Sequence, residues 1–161
     1  MSGIGSLFRE RFSLACPYFI PTHTFNGEWL HPSRLPLGAG WAGTCGAPGH
    51  DGATPSSNDI HERCNLGYAV DCSRLPQERS CDSVRFSVAR DTATQVRLCF
   101  VCEKAHEPAA HGILIYDTAA KQWISSHSDL RIQKLAECYL QSYLLRRIQP
   151  ASAGDHASTP S

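Results

Sequence analysis

Residues 16–80 hold eight of the twelve glycines and seven of the ten prolines in the chain. Proline lacks a backbone donor and glycine is entropically costly to order, so a stretch such as Leu35 to His50 excludes regular helix and central strand. A segment this rich in breakers either stays disordered or is pinned by something other than secondary structure. Phe19, Phe25, Trp29, Trp41 and Tyr68 lie within it, and bulky groups of that kind need a core. A structural metal or cluster is the usual means of ordering a loop-rich segment.

The cysteines supply candidates for that role. Cys16, Cys45, Cys64 and Cys72 fall in the irregular half, separated by 28, 18 and 7 residues. Each sits beside turn-forming residues: Cys16-Pro17, Gly43-Thr44-Cys45-Gly46, Cys64-Asn65-Leu66-Gly67 and Asp71-Cys72-Ser73. Glycine beside a ligand lets the backbone bend and aim N–H groups at sulfur, which lowers the charge cost of bound thiolate. Four thiolates satisfy a tetrahedral zinc ion, and equally a [2Fe–2S] or [4Fe–4S] cluster.

Structural zinc ordinarily shows at least one close pair of ligands from a single knuckle, and none of these four cysteines has such a partner. The leading expectation is therefore an iron–sulfur cluster, [4Fe–4S] first, with Tyr18, Phe19, Trp41, Leu66 and Tyr68 as its apolar shell. Zinc stabilising a protein-interaction module is the alternative. The string Cys16-Pro17-Tyr18-Phe19, Gly43-Thr44-Cys45-Gly46, Cys64-Asn65-Leu66-Gly67-Tyr68 and Cys72 resembles bacterial four-cysteine cluster proteins in general. That resemblance covers less than half the chain and implies no activity.

From residue 81 the pattern becomes regular. Ser83–Val88 and Val96–Cys102 alternate apolar and polar positions, joined by a polar turn at Asp91–Thr94. Ile113–Tyr116 reads as a third strand, after a Lys104–Gly112 loop, and Gln122–Ile124 as a fourth. A helix from about Asp129 to Ile148 carries Ile132, Leu135, Ala136, Tyr139, Leu140, Tyr143 and Leu144 on one stripe, with Arg146 and Arg147 at its C-terminal end. One short helix is expected earlier, capped by Thr54, begun by Pro55, ended near Asn65–Gly67, with Cys64 in its last turn.

The expected architecture is thus an α+β single domain over residues 1–150. A loop-rich half (16–80) is organised by a four-cysteine site. A small antiparallel sheet of three or four strands then packs on one long C-terminal helix (81–148), and residues 151–161 form a disordered tail.

The remaining cysteines, Cys81, Cys99, Cys102 and Cys138, read as packing residues. Cys99 and Cys102 have thioredoxin-like spacing, but on a strand their side chains point to opposite faces. Cys138 falls well off the helix stripe and is expected near the surface. A third functional possibility is a thiol-based redox enzyme or sensor using Cys45 or the Cys99/Cys102 pair, marked by one depressed thiol pKa.

Other strings are weaker. Gly38-Ala39-Gly40-Trp41-Ala42-Gly43 matches a dinucleotide fingerprint, yet it follows Pro36 and opens no helix. His106 and His111 are spaced by five across Pro108, which suits a polar hairpin loop better than a zinc protease helix. His50-Asp51 and His61-Glu62 read as solvated pairs. Ser33-Arg34-Leu35-Pro36 recurs as Ser73-Arg74-Leu75-Pro76, and both copies flank the proposed site. No paired carboxylates make a claim to acid–base work.

Fifteen basic residues balance fifteen acidic ones, six against seven in residues 1–80 and nine against eight in 81–161. That balance disfavours nucleic acid and anionic membrane as partners and leaves a protein partner as the expectation. Arg9, Glu10 and Arg11 stand where the apolar core of an export signal would lie, and no run approaches a membrane span. Cytoplasmic residence is expected, where clustered cysteines serve as metal ligands or reactive thiols more than as disulfides.

Overall fold

A computed structural model describes residues 15–25, 35–65 and 72–158, with side chains as far as Arg147. Trp29, Leu66, Gly67, Tyr68 and the first fourteen residues lie outside the described set.

The regular half is α+β, as its periodicity indicates. Four strands, β3 (Ser83–Asp91), β4 (Gln95–Lys104), β5 (Glu107–Asp117) and β6 (Gln122–Ser125), form an antiparallel meander in that order. Alternation places Val84 and Phe86 of β3, Val96, Leu98, Phe100 and Cys102 of β4, and Leu114 of β5 in the core. Phe100 lies over Gly112, its register partner, where a Cβ would strike the ring at 2.9 Å.

β5 is longer than Ile113–Tyr116, and most of the expected Lys104–Gly112 loop is strand. The turn shrinks to Ala105 and His106, both at positive φ (53° and 68°). Pro108 is accommodated because it sits at a register break beside Cys102–Glu103, on a stretch of β5 that β6 leaves unpaired. His106 is therefore in the turn, while His111 is a strand residue opposite Val101. The two do not share a hairpin loop.

The C-terminal helix α2 (Leu130–Ser158) starts where expected, with the Asp129 side chain accepting from Arg131 N–H at 3.0 Å. It extends beyond Ile148, so residues 151–158 of the expected tail are helical. Ile132, Leu135, Ala136 and Leu140 are buried as the stripe predicts, and Tyr139 meets Phe86 at a ring separation of 5.7 Å. Cys138 is 3% exposed, contrary to the surface position its angle suggests. The cause is tertiary: α2 packs against β3 and β4, and also against strand β1 (Phe19–Thr24) of the loop-rich half, so its covered arc exceeds one stripe.

That half contains a feature its composition conceals. β1 (Phe19–Thr24) and β2 (Trp41–Cys45) form a two-stranded antiparallel ribbon, with a bulge between Pro21 and His23. Neither is a central strand, which is why proline is tolerated. Gly43 is required here, because a Cβ at that position would collide with the Ile20 carbonyl oxygen. Arg131 ties α2 to the ribbon by stacking 4.6 Å above the Tyr18 ring and donating to Gly46 O at 3.2 Å. Arg146 donates to Gly38 O at 2.8 Å.

The short helix starts later than expected. Ser56, not Thr54, is its N-cap, accepting from Asp59 N–H at 3.2 Å. A three-residue α-helical turn, α1 (Ser57–Asp59), widens into a π-helical turn over Ile60–Cys64. Thr54 and Pro55 precede it, because Ser56, two residues after Thr54, offers the same hydroxyl after proline has set the entry direction. Cys64 does fall in the last turn. Among the described residues no helix is long and apolar enough to cross a membrane.

Candidate functional site

Cys16, Cys45, Cys64 and Cys72 all line one small cavity of about 20 Å³, with Tyr18, Phe19, Ala47, Pro55, Arg63, Arg74 and Leu75. Each cysteine arrives on a different segment, and main-chain hydrogen bonds tie three of those segments together. Cys16 N–H donates to Cys64 O at 3.3 Å, joining the chain before β1 to the end of the π turn. Cys45 faces Phe19 in the ribbon register, and Gly46 N–H donates to Tyr18 O at 2.7 Å. The loop after Cys45 closes on it, with Cys45 N–H donating to Ala53 O and Gly52 N–H to Cys45 O. Cys72 opens a turn closed by Leu75 N–H at 3.2 Å.

Asn65 locks the Cys64 turn to β2. Its side chain is 1% exposed, accepts from Trp41 N–H at 2.9 Å, and donates to Trp41 O at 2.7 Å and Ile60 O at 3.1 Å. Neither composition nor cysteine spacing identifies Asn65 as part of the site's support. Its place directly after Cys64, at a helix end, was the available signal.

Burial pushes the Cys16 thiol up to about 12, and the neighbouring Cys45 and Cys72 sulfurs add to the rise. N–H groups at Tyr18 and Phe19 oppose it by facing the Cys16 sulfur. Cys64 is raised further, by burial first and then by Cys16, Cys72 and Cys45. Ala47 N–H donates to Cys45 Sγ at 3.4 Å. Backbone donors therefore converge on two of the four sulfurs, the device that stabilises bound thiolate. Among the described residues no three His, Cys, Asp or Glu side chains are arranged to hold a single metal ion.

Two arginines line the cavity beside the thiols. Asp59 accepts from Arg63 at 2.7 Å and from Arg74 at 3.3 Å, which fixes both guanidinium groups at the cavity wall. The second Arg-Leu-Pro echo thus contributes Arg74 and Leu75 to the lining. In the first, Ser33 and Arg34 lie outside the described residues and Leu35 is buried elsewhere. Of the expected apolar shell, Tyr18 and Phe19 line the cavity and Trp41 is a core residue outside its lining.

The other candidate strings lie apart. His50 is exposed, and His61 meets Ser57 O at 2.9 Å and the Phe25 ring at 5.3 Å. The glycine string runs into β2, with a turn after it and no nucleotide-binding helix. Cys102 is buried, 4% exposed, whereas Cys99 is partly exposed, consistent with opposite faces of β4. No family model, curated protein or solved structure matches this chain.

Proposed function

We propose that this is a metal-centre protein in which Cys16, Cys45, Cys64 and Cys72 hold one iron–sulfur cluster, most naturally [4Fe–4S]. The observation carrying this reading is the convergence of four thiols from four separate segments on one cavity, with backbone N–H groups facing two of the sulfurs. The donor set fits: four thiolates are a full complement for such a cluster. A cluster spreads its ligands further apart than a single ion, in keeping with four cysteines that share no knuckle.

Bound there, the cluster supplies one-electron redox chemistry. The chain's own residues hold the thiolates, exclude water through Tyr18, Phe19 and Leu75, and offset negative charge with the Asp59-anchored Arg63 and Arg74. Electron exchange with a protein partner, or integrity of the loop-rich half, is the role this arrangement serves. A zinc-stabilised interaction module is the second reading, since the same four thiolates lining the cavity also complete a tetrahedral zinc ion.

Anaerobic purification followed by visible absorption and iron, sulfide and zinc analysis tests the assignment. The cluster reading expects a coloured protein with matched iron and sulfide that bleaches on reduction. Serine at any one of the four positions should lower iron content, while Cys99→Ser leaves it unchanged. A colourless protein with one zinc per chain replaces the cluster reading with the second. A metal-free protein under all conditions removes both.

A further inference from the structure

Helix α2 lies on β1, β3 and β4 and stands off from the β5–β6 edge of the sheet. Between that edge and the helix runs a groove of about 340 Å³. Its helical wall is Glu137, Leu140, Gln141, Leu144 and Leu145, spaced i, i+3, i+4, i+7 and i+8, which is one face of a helix. Its other wall is aromatic. Tyr116 of β5 and Trp123 of β6 are register partners, so both side chains leave the same side of the sheet. Their rings stand 5.2 Å apart at 66°, an edge-to-face arrangement that makes a corner rather than a stack.

The chemistry of these walls selects a ligand. Leu140 is buried and Leu144 half-buried, while Glu137, Gln141 and Leu145 are exposed, so an apolar floor meets a rim carrying two polar groups. A few hundred cubic ångströms walled by apolar and aromatic side chains, with few polar groups among them, is the form of a small-molecule site. The one charge in the lining is the Glu137 carboxylate, and no cationic side chain lines the groove. Among the described residues that carboxylate makes no ion pair, and its contact is Gln133 Nε2 at 3.5 Å. Aromatic faces attract cations through the ring quadrupole, so the corner and the carboxylate favour the same sign of charge.

We propose that the groove between α2 and the β5–β6 edge binds a small organic ammonium ion with an apolar body. The body rests on Leu140 and Leu144, and the cationic head sits between the Tyr116–Trp123 corner and the Glu137 carboxylate. Gln141, one helical turn beyond Glu137, offers its amide to a polar substituent at the mouth. The groove shares no residue with the four-cysteine cavity, so the inference stands apart from the metal-centre assignment.

The test titrates the full chain with benzyltrimethylammonium, with benzyl alcohol (the body without the charge) and with tetramethylammonium (the charge without the body). The Trp123 indole N–H signal in proton–nitrogen correlation spectra, assigned with Trp123→Phe, reports occupancy. Benzyltrimethylammonium should shift it with a dissociation constant of about 1 mM, and the other two should bind about ten-fold more weakly. Glu137→Gln should weaken benzyltrimethylammonium about three-fold and leave benzyl alcohol unchanged. Gln141→Lys, which sets an ammonium four residues from Glu137, should weaken the cation further. Both substituted positions are exposed, so the fold persists in each variant. Equal affinity for benzyl alcohol and the cation, tetramethylammonium binding as tightly as benzyltrimethylammonium, no response to Glu137→Gln, or shifts that spare Trp123 would each overturn the proposal.

Discussion

Asn65 offers the sharpest test of how the candidate site is assembled. Replacing it with alanine removes three buried hydrogen bonds, two to the Trp41 peptide and one to Ile60 O. Ile60 O keeps a second donor in the Asn65 backbone N–H at 3.2 Å, so the stranded groups are Trp41 N–H and Trp41 O. A buried polar group left without its partner costs about 1–3 kcal/mol, so two such groups cost about 4 kcal/mol together. With a urea dependence of about 2 kcal/mol per molar, the unfolding midpoint should fall by about 2 M. Asn65→Asp should be at least as damaging, because an oxygen replaces the donor facing two carbonyl oxygens. Equilibrium urea unfolding followed by tryptophan fluorescence measures both. A midpoint shift below about 0.5 M for Asn65→Ala would refute the reasoning, since the asparagine would then be dispensable to the Cys64 turn.

Two further outcomes are expected. Gly43→Ala places a methyl group on the Ile20 carbonyl and should cost several kcal/mol and disrupt the ribbon that presents Cys45. Gly49→Ala, with open space but φ of +82°, should cost only about 1 kcal/mol, and comparable thermal shifts for the two would count against the ribbon geometry. Asp91 accepts from Tyr143 and Arg147 at 2.6 Å each, and these contacts, the tyrosine's first, hold its carboxyl below the ordinary value of 3.8. A carboxyl depressed in the folded state adds stability above its unfolded pKa and loses it as pH falls through the folded value. Asp91→Asn should therefore cost under about 1 kcal/mol at pH 7 and progressively less below about pH 4; an equal deficit at pH 2.5 would contradict this.

Much of the regular half was legible along the chain because its signals are local. Val96, Leu98, Phe100 and Cys102 repeat with the period of a strand, and Ile132, Leu135, Ala136 and Leu140 with that of a helix. Each periodicity marks its own core face without knowledge of a partner. The division of the cysteines into two groups was legible for a similar reason, since breakers surround one group and strand or helix patterns the other.

Where these elements met was not written locally. Cys138 is buried because α2 touches β1 as well as the sheet, a second neighbour that no helical wheel records. Pro108 sits in a strand because β6 is too short to demand its missing N–H. Cys102 lies opposite Val84 of β3 and Ala110 of β5 and on the other face from Cys99, three residues away, because strand alternation separates near neighbours while the ladder joins distant ones. The sequence by itself determined, in outline, the sheet and helix of residues 83–148 and which four cysteines share a breaker-rich setting. Tertiary structure alone decided that those four line one cavity, through bonds such as Cys16 to Cys64 and Asn65 to Trp41 that link segments far apart in the chain. Periodicity is a property of consecutive residues, whereas a site is a property of the segments that packing brings together.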